Sequence, residues 1–428
     1  MYGYKYQQSV DERYNLIISY QDLYTEYRGV VYKVQKRAEY YDEYIMQLKY
    51  IGNTDIKNTQ NIYHILRVPK NFVLLYGETY SYSGVLRIPQ DFNNFSYTQF
   101  LQSRSIYFRT NITTLQKLEE SPRGIFFMLF TLREHLVARS EILFPYRESL
   151  FLSGILFGAR EHLPQDIRTQ FNNSGLTHFI TTSGFHVSLV ILFLSSIFIV
   201  FPPYVRVVFV TFGVISFALF VGYGAPVIRA SIMGILGYIL LQGGSNTRNL
   251  ILIVFTLTLM VGVSPLALLY DVSLQLSFLA VLGILFTQNF FKKIFSFLPN
   301  FLSLRDACVL TFSAFSGLFP VLFFQFGQIS LLTPLANMLV AWTIPLAMLG
   351  GALILLIDAF SPSVASFLSF PLWILLRFDM LVVELIGTQD WALVKSNFGA
   401  YSTQLQILYL LLLGYILTYY YLKKIKSL

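Results

Sequence analysis

Apolar and polar positions follow two rhythms along this 428-residue chain. Over residues 20–110 they alternate with the period of a strand. The runs GVVYKVQKRA from Gly29, EYIMQLKYI from Glu43, NIYHILRVP from Asn61, NFVLLYG from Asn71 and SGVLRIP from Ser83 are rich in β-branched and aromatic residues. Gly, Pro, Asn and Asp separate them. Five short strands so close together predict a small barrel of the OB type. From Ser121 the period becomes helical. Through GIFFMLFTLREHLVARSEILFPYRESLFLSGILFGAREHL, apolar residues recur every three or four positions with Arg and Glu between them. The charges recur too often for a spanning helix, so this segment is expected to be amphipathic and to lie on the membrane surface or against the channel.

After His186 the chain becomes a series of apolar runs, several near the roughly 20 residues that cross a bilayer. They fall near 187–201, 205–222, 229–243, 249–265, 273–289, 307–326, 329–357, 364–386 and 404–421. The first and third are short, which suggests broken or re-entrant segments. The expected fold is therefore a polytopic α-helical membrane protein with about 8–10 spans, some broken, behind an N-terminal OB-like β-barrel. The expected divisions are 1–118 for the barrel, 119–186 for the amphipathic helical segment and 187–428 for the multi-pass membrane domain.

Composition agrees. Hydrophobic residues make up 55% of the chain and charged residues 13%, about half the share of a soluble domain. The charges are also unevenly placed. Residues 1–119 hold 14 Lys/Arg and 11 Asp/Glu, whereas residues 187–428 hold only 11 and 6. With residues 1–186 outside, Arg206, Arg248, Lys292, Lys293, Arg305 and the tail YLKKIKSL all face the cytoplasm, and only Lys395 disagrees. That is the positive-inside pattern. The expected location is the plasma membrane, with an extracellular or periplasmic N-terminal domain and a cytoplasmic C-terminus. The N-terminal stretch MYGYKYQQSVDERYNL lacks the apolar core of a signal peptide, so a downstream helix is expected to place the first domain outside.

Polar residues inside the apolar half mark candidate chemistry. Arg229 follows Pro226 in GYGAPVIRASIMGIL. Asp271 and Gln275 open LLYDVSLQLSFLAVLGI, and Asn337 sits in QISLLTPLANMLVAWTIPL. Such groups normally face a bundle interior or a hydrated path, and nearby Pro and Gly point to interrupted helices. Plainer readings stand beside these: a snorkelling interface residue for Arg229, and interhelical hydrogen bonds for Gln275 and Asn337. Arg377, Asp379 and Glu384 read as an ion cluster within one helix.

In THFITTSGFHVSLVILFL, Ser183 and His186 have the spacing of a nucleophile and its base. A hydrolase also needs an orienting group and an oxyanion hole, and the flanking carboxylates, Asp166 and Asp271, are distant in sequence. His178 and His186 stand eight apart without flanking Cys or carboxylate, and the single cysteine, Cys308, has no zinc-like spacing. No metal and no cofactor is expected. An intramembrane serine hydrolase and an ion or small-molecule transporter with an extracellular binding domain remain as alternative functions.

These elements together resemble the ComEC family, competence channel proteins that carry transforming DNA into bacteria. FNNSGLTHFITTSGFHVSLV resembles its G-L-x-H-[LI]-[LI]-A-x-S-G-x-H-V signature, with Thr181 and Thr182 departing from it. FGAREHLPQD resembles the G-[DE]-R-x-x-L step, with Ala159 in place of the acidic residue. GAPVIRASIM, YDVSLQLSFLAVLGI and LLTPLANMLVAWTIPL resemble three further elements in the same order. The family's C-terminal metallo-β-lactamase-like domain is not matched, so strand degradation is expected from another protein.

The resemblance implies a non-enzymatic channel for import of single-stranded DNA across the bacterial plasma membrane. His178, Ser183, Gly184, His186, Arg229, Asp271, Gln275 and Asn337 are then the candidate path residues. His178, Ser183 and His186 would form a turn at the external entrance, with Gly184 allowing a tight backbone. Tyr32, Lys33, Lys36 and Arg37 are candidate DNA contacts of the barrel, offering aromatic faces among basic groups. The implied partners are single-stranded DNA, the plasma membrane and other competence proteins (a DNA receptor, a separate nuclease and a cytoplasmic motor), with a homo-oligomer left open.

Overall fold

The computed structural model describes residues 21–37, 41–52, 54–55, 62–72, 74–90, 97–102, 104–118, 124–222, 224–242, 249–263, 271–298, 304–325, 327–395, 404–405 and 408–409. The expected span 404–421, the basic tail, Tyr40 and Arg248 lie wholly or largely outside them. The chain divides into two compact units. One comprises Met1–Ala138, Ala159–Gln165 and Phe255–Asp271; the other comprises Arg139–Gly158, Asp166–Val254 and Val272–Leu428.

In the first unit, β1 (Tyr24–Arg37), β2 (Tyr41–Ile51), β4 (Tyr63–Pro69), β5 (Thr79–Arg87) and β6 (Ile106–Lys117) form a closed barrel, and the two-residue β3 (Thr54–Asp55) adds to the edge of β2. The order runs β1-β5-β6-β4-β2, and β2 pairs back onto β1. Only β4 and β6 pair in parallel; the other pairings are antiparallel. Closure depends on β1, which serves both neighbours. Its register against β2 slips at Arg28/Gly29, Val31/Lys33 and Val34/Lys36, and such bulges bend a strand around a corner. At Gly29 a Cβ would stand 2.9 Å from both the Gln47 carbonyl oxygen and the Tyr82 hydroxyl, so only glycine fits.

The OB-type barrel is as expected, but one of its strands is not. The run from Asn71 forms turns rather than a strand, and Leu74 points from it into the core. The fifth barrel strand is instead β6, whose later half faces solvent with polar residues and so lacks a strong apolar alternation. A helix, Tyr97–Gln102, packs Tyr97, Phe100 and Leu101 against Ile45, Tyr63 and Ile65 on the outside of the β2–β4 face.

The barrel core is unusually polar for its size. Tyr27, Tyr82 and His64 stack in sequence, with ring centroids 5.9 and 5.5 Å apart. The His64 ring is 0% exposed, and its Nε2 lies 3.0 Å from the Tyr82 hydroxyl. Burial holds the imidazole neutral and pushes its pKa down to about 3.

In the second unit, helices Gly184–Ile197, Pro203–Val221 and Ala225–Gln242 pack around Val187, Val210, Val214, Ala218, Val227 and Tyr238. Helices Val272–Ile294 and Leu304–Pro320 cross closely. A Cβ on Gly283 would meet the Ser313 carbonyl oxygen at 2.5 Å, and Thr287 and Ser316 share a hydrogen bond of 3.2 Å. Small residues at a crossing let helix backbones approach in an apolar medium.

Among the described residues, four helical stretches are long and apolar enough to cross a membrane: Pro203–Val221, Val272–Phe297, Arg305–Phe324 and Pro362–Gly387. Other expected spans appear as the shorter apolar helices Gly184–Val200, Pro226–Gln242 and Ile251–Gly262. The expected span 329–357 is a pair, Thr333–Val340 and Thr343–Asp358, bent by 45° at its break. The expected amphipathic stretch ahead of them is broken into two helices. Helices Ile125–Leu143 and Tyr146–Phe157 are separate, and in the second every residue from Glu148 to Phe157 is buried. Its charges pair: the buried Glu148 lies 3.5 Å from Arg377, and the half-buried Arg147 lies 3.4 Å from Glu384.

The His64 burial predicts a pH dependence. The unfolded imidazole titrates near 6.5 and the folded one near 3, so the barrel loses stability as pH falls below the first value, until the second is reached. The slope is about 1.4 kcal/mol per pH unit in that window. The protection factors of the β4 and β5 amides in the full chain, with exchange corrected for its intrinsic pH dependence, should fall between about pH 7 and pH 5. His64→Leu should be less stable at neutral pH, having stranded the Tyr82 hydroxyl, yet show a flatter slope. An unchanged slope would contradict the assignment.

Candidate functional site

The stretch from Gly175 to Val187 is a junction between helices. Gly175 has φ +75, and a Cβ there would overlap Thr333 of the helix Thr333–Val340, with Oγ1 only 2.0 Å away. This backbone conformation suits glycine alone. Five residues on, Ile180 fills the space that a side chain at Gly154 would need. Thr182 is buried against Gly158, and Val187 and Ile191 pack toward Gly234. Gly184 is different. A Cβ there would meet the Ala230 Cβ at an ordinary 3.7 Å, and its φ is not positive. The tight backbone expected at Gly184 is found at Gly175 instead.

Ser183 and His186 form a helix cap. Ser183 is the N-cap of Gly184–Ile197, and His186 occupies the third helical position of a capping box. The Ser183 backbone N–H donates to His186 Nδ1 at 3.2 Å, and the Ser183 hydroxyl lies 3.2 Å from the same nitrogen. An Nδ1 that accepts leaves the ring proton on Nε2. That nitrogen is buried against the Phe179 backbone without a well-formed hydrogen bond among the described residues. A triad histidine needs a carboxylate at this position to orient it, and none of the described ion pairs involves His186. His178, eight residues earlier in the short helix Thr177–Ile180, is exposed and contacts the Gly175 carbonyl through Nδ1 at 3.0 Å.

Arg229 is 1% exposed, and the guanidinium Nη2 donates to the Ser273 carbonyl at 2.7 Å and to the Ser273 hydroxyl at 3.0 Å. The GAPVIRASIM and YDVSLQLSFLAVLGI elements thus meet through their arginine and serine. Gln275 is half-buried one turn from Val272. Asn337 is half-buried as well, with its side-chain oxygen enclosed and lacking a hydrogen bond among the described residues. Asp271 is buried and accepts from Arg104 at 3.3 Å.

Arg377, Asp379 and Glu384 do not form one cluster. Arg377 and Glu384 reach Glu148 and Arg147, whereas Asp379 is hydrogen-bonded to the Thr343 hydroxyl at 2.6 Å. Positions i and i+2 of a helix point in different directions, which explains the separation. In the barrel, Tyr32 packs on Tyr63 with centroids 4.7 Å apart, and Lys33 is exposed. Lys36 and Arg37 stand opposite Glu43 and Asp42 in the β1–β2 register.

Sequence spacing also missed a grouping. Glu134, Glu161 and His162 bring their ligand atoms within 4.8 Å of one another. Arg133 already donates to Glu161 at 2.6 Å, so a metal ion there would have to displace it. Nothing in the sequence signals this grouping, because the residues come from a helix and from a separate turn.

The profile of the family described as Competence protein matches residues 155–423. ComE operon protein 3 of Bacillus subtilis (strain 168) is 22% identical over 263 residues, covering 60% of this chain and 32% of that protein. An uncharacterized protein of Aquifex aeolicus (strain VF5) is 31% identical over 214 residues, covering 49% of this chain and 48% of its own length. The chain therefore spans less than half the length of either relative. No solved structure matches it.

The two glycines separate packing from tolerance. Gly175→Ala should cost roughly 1–3 kcal/mol through strain and overlap, read as a lower Tm of the detergent-solubilised protein, with partial rescue by Thr333→Ala. Gly184→Ala should be nearly neutral. Equal effects at the two positions would contradict the junction described above.

Proposed function

We propose that this chain, which belongs to the competence protein family, provides the membrane path by which a single DNA strand enters the cell. The reading rests on one coincidence: the family match, residues 155–423, falls on the apolar helices, and among them a fully buried arginine donates to the carbonyl and hydroxyl of Ser273. A polyanion crossing lipid needs a hydrated and mildly positive route. In the present arrangement Ser273 holds the guanidinium. When the path opens, phosphates of the strand exchange with those bonds, since a guanidinium can bind a phosphate through two parallel donors.

The barrel serves as the outer platform of this path, and the residues after His186 serve as the channel. The plasma membrane location, with residues 1–186 outside, follows from the basic positions Arg206, Lys292, Lys293 and Arg305. The Ser183–His186 pair caps a helix and carries out no hydrolysis.

The experiment is natural transformation with variants at Arg229. Arg229→Ala should abolish DNA uptake with protein level and membrane insertion unchanged, and Arg229→Lys should restore part of it. Normal uptake by the alanine variant would remove Arg229 from the path.

A further inference from the structure

A carboxyl deep in the helical unit has no part in the path described above. Asp379, on helix Pro362–Gly387, is 0% exposed. It reaches Thr343, the first residue after the break between Thr333–Val340 and Thr343–Asp358, which is 0% exposed as well. The Thr343 hydroxyl has two oxygens at hydrogen-bond distance, the Val340 carbonyl at 2.6 Å and Asp379 Oδ1 at 2.6 Å. A carbonyl oxygen only accepts, and a hydroxyl carries one proton. One proton cannot fill two contacts this short. If the hydroxyl donates to a carboxylate at Asp379, lone pairs of Thr343 and Val340 face each other at 2.6 Å. If Asp379 is the neutral acid, both contacts are hydrogen bonds: its O–H donates to Thr343, and Thr343 donates to Val340.

The surroundings of Asp379 agree with the neutral form. Its second oxygen, Oδ2, is enclosed without a hydrogen bond among the described residues. No ion pair among the described residues includes Asp379. Helix Pro362–Gly387 packs on Tyr146–Phe157, Thr333–Val340 and Thr343–Asp358. Of the charged groups there, Glu148 lies 3.5 Å from Arg377 and Arg147 lies 3.4 Å from Glu384, while Arg139 holds Asp358 through two bonds. Tyr146 is exposed, and Thr333–Val340 has no titratable residue. Asp166 and Arg168 belong to Gln165–Ser174, which meets Pro362–Gly387 further on, at Gly387. A carboxylate with one oxygen bare in an apolar bundle costs far more than a neutral acid in the same place.

We propose that Asp379 is a proton-binding site and that its proton fastens the helix break. The acid joins Pro362–Gly387 to Thr343, and Thr343 to Val340, through two hydrogen bonds that run in one direction. The Val340 carbonyl belongs to the last turn of its helix, where carbonyls lack helical partners. The Thr343 hydroxyl is thus a cap across the break. When the proton passes to water, the carboxylate can only accept. The Thr343 hydroxyl then turns to Asp379, the Val340 carbonyl loses that bond, and the bare charge draws in water. The break loosens, and it closes again when the carboxylate takes a proton back from water. Ionisable groups beside interrupted helices serve as proton relays in membranes. The assignment stands whatever substance the helical unit carries.

The test uses the full chain in nanodiscs. Infrared spectra at neutral pH compare the wild type with Asp379→Asn, a neutral isostere whose amide can also donate to Thr343. The wild type should show the carbonyl stretch of a protonated carboxyl that the variant lacks. Thr343→Val should shift that band to higher frequency, and Thr343→Ser should leave it in place. Absence of the band, or a band indifferent to Thr343→Val, overturns the proposal. Amide hydrogen exchange, corrected for its intrinsic pH dependence, then follows the break. Protection over Thr333–Asp358 should fall as pH rises from neutral in the wild type, because the proton-bound form is the fastened one, and should stay flat in Asp379→Asn. Equal pH responses in the two proteins assign the change to another group and overturn the site. A flat wild-type response means a proton that is never released, and overturns the switch. Protection that follows sodium rather than pH puts a metal ion at the carboxyl and overturns the proton assignment. Should Asp379→Asn fail to fold, the wild-type band and its response to the two Thr343 variants carry the test.

Discussion

A guanidinium buried among apolar helices is the constraint around which the helical unit is arranged. An unpartnered arginine in hydrocarbon costs several kcal/mol, about 2.5–3.5 on insertion scales. Arg229 avoids part of that cost by donating to the carbonyl and hydroxyl of Ser273. The bond fixes helix Ala225–Gln242 against the start of Val272–Ile294. The same rule recurs wherever polarity enters the bundle. Thr343 holds Asp379 beside the break between Val340 and Thr343, and Arg139 holds Asp358 through two bonds of 2.6 and 2.8 Å. Polar groups at depth are ties between helices.

The barrel answers a different problem. A small sheet must leave no exposed edge, and here one bulged strand closes it by pairing on both sides. Its core tolerates His64 and two tyrosine hydroxyls because stacking and the His64–Tyr82 contact offset part of their desolvation.

Much of this architecture was legible in the sequence, and the failures have physical causes. Long apolar runs announce Pro203–Val221 and Pro362–Gly387 because hydropathy does not depend on tertiary partners. The run from Asn71 has strand composition yet packs Leu74 into the core as a loop, since a short apolar run fits either role. Helix Tyr146–Phe157 reads as amphipathic from Arg147 and Glu148, but their partners on Pro362–Gly387 are more than 200 residues away (the Arg377–Glu148 contact spans 229). Arg229 stood out on its own chemistry. Arg104 did not, because its partner Asp271 lies 167 positions away.

Capture of the moving strand tests the central claim most directly. A photo-crosslinking amino acid placed at Gln275, half-buried beside the Arg229–Ser273 tie, is exposed to light during uptake of labelled DNA by competent cells. A second is placed at Phe212, which is 70% exposed on the apolar helix Pro203–Val221. The account predicts crosslinks to single-stranded DNA at position 275 that depend on active uptake, and none at position 212. Uptake that proceeds with no crosslink at 275, or with equal crosslinks at both positions, would contradict a path through the helical unit.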